Sequence, residues 1–210
     1  MYSRLKAIFD GILSALKSLL RRFRSYIKVA EADEIARRYF VMNAFDGALT
    51  ILGVIVGAIV AGEVNPRVII SAGAGASLAM GISGAWGAYA AERAERRRLL
   101  KELEGHMFRD LKGSIMDKAS HAAAFWVAFV DGLSPALAAA IPLIPFVMVL
   151  MRIIPVETGL IASITLNLFT LFILGVFLGR LSDENVWVHG ALMVGVGVLT
   201  ALILLMFSGL

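Results

Sequence analysis

Apolar residues gather along this chain in long blocks rather than short alternations. Five blocks are long enough to cross a bilayer, which takes roughly 18 or more residues of helix. They run from about Asn43 to Gly62, Val68 to Ala91, Ala119 to about Met151, Val156 to Gly179, and Val186 to Phe207. A β-barrel would show short alternating strands instead, so the blocks predict helices, whose backbone groups are satisfied within the segment. Pro135, Pro142 and Pro145 interrupt the long third block. That predicts a kink or break: one bent crossing, or a crossing plus a re-entrant piece. Glu92 to Lys118 is polar and reads as a helix continuing out of the second block.

Ahead of the blocks, Leu5, Ile8, Phe9, Ile12, Leu13, Leu16, Leu19, Leu20, Phe23 and Ile27 recur at spacings of three and four. That is one stripe of a helix, with Lys17, Arg21, Arg24 and Lys28 mostly off it. The stripe does not read as a secretory signal, which needs an unbroken apolar core and a cleavage site. It fits a helix on the membrane surface with its basic face toward anionic lipid, or one packed on this protein or a partner subunit. The pattern therefore predicts an all-α polytopic membrane protein with five transmembrane helices per subunit and an N-terminal amphipathic helix. Residues 1–42 form the N-terminal helical region and 43–210 the five-span domain, with a helical connection at 92–118.

Composition sharpens this. Hydrophobic residues make up 59% and charged residues 17%, against about 25% charged in soluble domains. A disordered chain is excluded. With no cysteine, disulfide modules, thiolate metal sites and cysteine nucleophiles are excluded too. Any metal must be held by oxygen, imidazole or thioether. The net charge of +4 matters less than its placement. Nine Lys and Arg precede the first block, eight lie between the second and third, and Arg180 follows the fourth. Only Arg67 and Arg152 stand on the other side, 18 against two. The positive-inside rule then predicts a multi-pass protein with a cytoplasmic N-terminus and an external C-terminus. Topology accounts for the basic charge, so no nucleic-acid partner follows from it.

Ionisable residues inside spans are costly and mark function by default. Asp46 and Asp131 stand out, each followed by glycine. Thr50, Gly53 and Gly57 fall on the side of Asp46, and the Gly-x-x-x-Gly pair predicts a close helix contact there. Asp131 reads equally as a functional carboxylate or as one at the water-exposed end of a broken helix. In the second block Met80 is either a soft ligand or packing. In the fourth, Asn167 is a costly amide expected to face the bundle. In the connection, Glu92, Glu95 and Glu102 share a helix face and His106 follows. They suit a hard or borderline divalent cation, or form a solvated face laced with arginine.

Together these segments resemble the vacuolar iron transporter family. Arg38 followed by Asn43-Ala44-Phe45-Asp46-Gly47-Ala48-Leu49-Thr50 is similar to its first-span signature. Ala72-Gly73-Ala74-Gly75-Ala76 and Ile82-Ser83-Gly84-Ala85-Trp86-Gly87-Ala88-Tyr89 resemble its second span. Glu92-Arg93-Ala94-Glu95 resembles the opening of its metal-binding region, and Ile141-Pro142-Leu143-Ile144-Pro145-Phe146 its third-span motif. Three departures stand beside this. Gly84 and Ala88 occupy positions where the family commonly carries Met and Glu, the connection is short, and Asp131-Gly132 is not a family feature.

The resemblance implies a homodimer exporting Fe²⁺ or Mn²⁺ from the cytoplasm in exchange for protons, with no prosthetic group and no enzymatic activity. The pore lies between subunits, with Asp46 as intramembrane carrier and Met80 as pore ligand. Glu92, Glu95 and Glu102 collect cations at its mouth. Thr50, Asp131 and Asn167 complete the candidate pathway. Two other readings are an intramembrane enzyme using Asp46 and Asp131 as a carboxylate pair, and a membrane scaffold without transport.

Overall fold

A computed structural model of the protein describes residues 17–18 and 20–207. Five long helices follow one another: α1 (Ala32–Val60), α2 (Pro66–Met107), α3 (Ile115–Leu150), α4 (Val156–Leu181) and α5 (Val186–Phe207). No strand occurs among the described residues. All five helices are long and apolar enough to cross a membrane. The helix α2 leaves the apolar block and continues into the connection as far as Met107, where a turn over 108–114 leads into α3. At 42 residues for α2 and 36 for α3, both outrun a hydrocarbon core of about 30 Å at 1.5 Å per residue.

The third block is one unbroken helix, so the expected break and re-entrant piece are absent. Proline at 135 removes the N–H that would bond the carbonyl of Asp131. Ser134 Oγ donates to that carbonyl at 2.7 Å. Ser163 Oγ of α4 donates to the carbonyl of Pro142 and ties α4 to α3. At Pro135 a hydroxyl thus takes up the carbonyl that the proline frees, one way a helix in lipid tolerates proline.

Contacts divide the chain into two compact units. One comprises 37–86 with 129–210. Its core has two clusters. Ile51, Ile55, Ile69, Leu143 and Phe146 form the first, Ala44, Ala48, Ala138, Leu171 and Leu174 the second. Lipid tails are as apolar as leucine, so helices here associate through close packing of small residues. A Cβ on Gly47 would lie 2.7 Å from Pro135 Cα, and one on Gly175 would lie 2.6 Å from Gly190 Cα. At both crossings the helix backbones touch.

The other unit comprises the residues up to Ala36 with Gly87–Ala128. Its core joins Ile27, Ala32 and Ala123, with Phe23 and Trp126 against them. Phe23 and Trp126 meet edge to face at 6.4 Å. Trp126 Nε1 donates to Asp33 Oδ1 at 3.0 Å, and Arg96 donates to the carbonyl of Ala30 at 3.2 Å. The end of the amphipathic stripe, Phe23 and Ile27, therefore packs on the protein. Most of the stripe, residues 1–16 and Leu19, lies outside the described residues.

Candidate transport site

The site is built on α1. Asn43, Asp46 and Thr50 follow at three and four, which sets them on one side of the helix. Each has a different neighbour. Thr50 Oγ1 donates to Met80 Sδ of α2 at 3.4 Å. Asn43 Nδ2 donates to Asp131 Oδ1 of α3. Asp46 remains exposed on the subunit surface, yet near enough to Asp131 for their charges to interact. No hydrogen bond joins the two carboxylates among the described residues.

Asp131 is only 2% exposed and lies within a continuous helix. The alternative of a water-exposed carboxylate at a helix break is therefore not realised. Gly84 makes room for the pair. A Cβ there would sit 2.7 Å from Asn43 Nδ2 and 2.9 Å from Asp131 Oδ2. Both Asp-Gly dipeptides work alike. Gly47 lets α1 touch Pro135, and a Cβ on Gly132 would lie 2.8 Å from Ala85 Cβ and 2.9 Å from the carbonyl of Gly81. Each glycine makes a helix contact, and the preceding aspartate, about 100° round the helix, is held at its edge.

The close contact expected at Gly53 and Gly57 is not made inside the subunit. Nothing would lie within 4 Å of a Cβ on Gly57, and only Leu204 Cδ1 within 3.9 Å of one on Gly53. The stripe of Asp46, Gly53 and Gly57 is thus an open face. Asn167, fully buried, donates through Nδ2 to the carbonyl of Ala48 at 3.0 Å, while its Oδ1 finds no partner among the described residues. It braces α1 from behind.

The connection does not bring its carboxylates together. Glu92 pairs with Arg96 at 3.3 Å and Glu102 with Arg98 at 3.2 Å, while Glu95 and His106 are exposed. Among the described residues no group of three His, Asp or Glu could hold a metal ion.

Sequence reasoning passed over Asn43 as a site residue. Its signal was available: an amide at the start of a span, three residues before an aspartate. Asn43→Ala would leave the buried Asp131 carboxylate without its donor, at about 1–3 kcal/mol or more. The expected result is a lower Tm in detergent, with Asn43→Gln recovering less than the full loss because Gly84 leaves no room for a longer chain. An unchanged Tm for Asn43→Ala would show the bond to be unimportant.

The sequence profile of the VIT family matches residues 37–106 and 100–208. The two stretches overlap in the connection. An uncharacterized protein of Methanocaldococcus jannaschii is 36% identical over 193 residues, 90% of this chain and 96% of that protein. No solved structure matches significantly. The chain belongs to the VIT family, whose members are membrane transporters of metal ions.

Proposed function

We propose that the protein exports a divalent metal ion, Fe²⁺ or Mn²⁺, from the cytoplasm by proton antiport, through a path between two copies of the chain. The observation that carries this reading is Asp46, a carboxylate exposed on the surface of an apolar, membrane-length helix. An uncovered charge facing lipid is costly, so it must face water or protein. A second copy meeting the open stripe of Asp46, Gly53 and Gly57 would enclose the two Asp46 carboxylates. Thr50 and Met80 flank that space with hydroxyl and thioether. Oxygen and thioether donors suit brief passage of a borderline divalent ion. A carboxylate that holds either a metal or a proton exchanges the two. Glu95, the one of Glu92, Glu95 and Glu102 outside an ion pair among the described residues, would attract cations to the cytoplasmic mouth, with the N-terminus on the same side.

The direct test is flux. Wild-type protein in proteoliposomes should move Mn²⁺ or Fe²⁺ when a proton gradient is imposed, and no flux with either gradient overturns the reading. The shared face has its own test, made simple because the chain has no cysteine. Gly57→Cys should give a disulfide-linked dimer on oxidation in membranes. A cysteine at Trp187, exposed on α5, should remain monomeric. The reverse pattern would move the interface elsewhere.

A further inference from the structure

Beside the ends of α2 and α3, residues of the second unit enclose a cavity of about 490 Å³. Its cations are Arg93, Arg96, Arg97, Lys101 and Lys112. Arg96 is committed to Glu92, and Arg93 lies over the Tyr89 ring at 5.8 Å. Among the described residues no carboxylate pairs with Arg93, Arg97, Lys101 or Lys112.

The carboxylates on the same wall are already engaged. Glu104 accepts from the Leu111 N–H at 2.9 Å, and Asp110 from the Lys112 N–H at 2.8 Å. Asp117 accepts from the Gly113 N–H at 2.9 Å and faces His121 at 3.6 Å. These bonds fix the turn after α2, and so fix the wall. Low-dielectric walls of one dominant sign focus the field inside a concavity. With five cations against three carboxylates on its wall, the cavity carries a net positive charge and favours an anion over a divalent cation.

Depth narrows the ligand. Apolar sequence in α2 ends at Ala91. At 1.5 Å per residue, Arg93 to Arg97 stand roughly 3–9 Å beyond it and Lys101 roughly 15 Å. The headgroup layer is roughly 5–8 Å deep. The guanidinium groups thus sit at phosphate depth, with a lysine farther out. Arginine grips phosphate oxygens with two parallel N–H bonds. A volume of this size falls within the range of small-molecule sites, about 300–1,000 Å³.

We propose that this cavity binds a phosphate-bearing anion, supplied by an anionic lipid headgroup or by free phosphate. The test is thermal unfolding of the purified full chain in neutral detergent, with short-chain phosphatidylglycerol and inorganic phosphate as separate probes. A ligand held by the folded state raises Tm with its concentration. Each cation near an anionic surface is worth about fivefold in affinity. The variant Arg97→Gln/Lys101→Gln/Lys112→Gln should therefore need about a hundredfold more probe for the same shift. The variant Arg67→Gln/Arg109→Gln/Arg152→Gln loses equal charge off the cavity wall and should keep the wild-type shift. A shift with phosphatidylglycerol alone supports the proposal with a lipid as source, and a shift with phosphate as well supports it with the free anion. No shift with either probe, or one equally weakened by both variants, overturns it.

Discussion

Replacing Asp46 with asparagine is expected to abolish proton-driven metal flux while leaving the protein folded. The substitution keeps the shape of the side chain and removes its charge. Removing an outer-shell partner of a metal ligand already costs about 10–100-fold. Losing the ligand's own charge should cost more, so the rate of the Asp46→Asn variant is expected to fall below about a hundredth of wild type. Because Asp46 is exposed and makes no bond that holds the fold, Tm should change by little, within about 0.5 kcal/mol of stability. Asp46→Glu should retain part of the flux, since a carboxylate remains. Equal flux in wild type and Asp46→Asn would remove Asp46 from the mechanism. Loss of flux together with loss of folded protein would make Asp46 a structural residue instead.

A marked loss of stability is expected at the neighbouring residue. In Gly47→Ala the new methyl would stand 2.7 Å from both the Cα and the carbonyl oxygen of Pro135. These are backbone atoms, so no side chain can rotate away and α1 must part from α3. Overpacking of this kind costs about 1–3 kcal/mol. At about 2–4 °C per kcal/mol for a chain of this size, Tm should fall by roughly 2–12 °C. The same change at Gly75 supplies the contrast. Nothing would lie within 4 Å of a Cβ there, and alanine favours helix over glycine by about 0.8–1 kcal/mol. Gly75→Ala should therefore leave Tm unchanged or raise it slightly. Equal effects at both positions would mean that the α1–α3 contact does not limit stability. Since Gly47 adjoins Asp46, parting these helices should also lower flux, and the two measurements together separate the two residues' roles.

How much of this was legible depends on the range of the physics involved. The spans were readable because each must satisfy its own backbone in lipid, a requirement written into a contiguous stretch. Structure begins the fifth helix at Val186, as the hydropathy does, and the chain is helical up to Phe207, the last described residue. The third helix was left open between one bent crossing and a broken one. It is continuous: Ser134, one residue before Pro135, bonds the carbonyl that Pro135 leaves free, and Ser163 on the next helix bonds the carbonyl of Pro142. The first of these was adjacent in sequence; the second was invisible without the fold. The same divide separates the site residues. Asp46, Thr50, Met80 and Asp131 were conspicuous because polar or soft groups are scarce in such helices. Which of them meet which partner was not legible, because the paired residues lie far apart along the chain.

The sequence by itself therefore determined the class of protein, the number and extent of its spans, and which carboxylates are anomalous in an apolar setting. These follow from the local cost of placing polar groups in hydrocarbon. Tertiary structure alone decided that Asn43 serves Asp131 across 88 residues, that Thr50 meets Met80 across 30, and that Asp46 is left open on the surface. It also decided that Gly47, Gly84 and Gly132 are contact points, while Gly57 and Gly75 are free. Glycine looks the same in every span. Only the distance from a missing Cβ to a neighbouring helix distinguishes a residue the packing requires from one it merely tolerates.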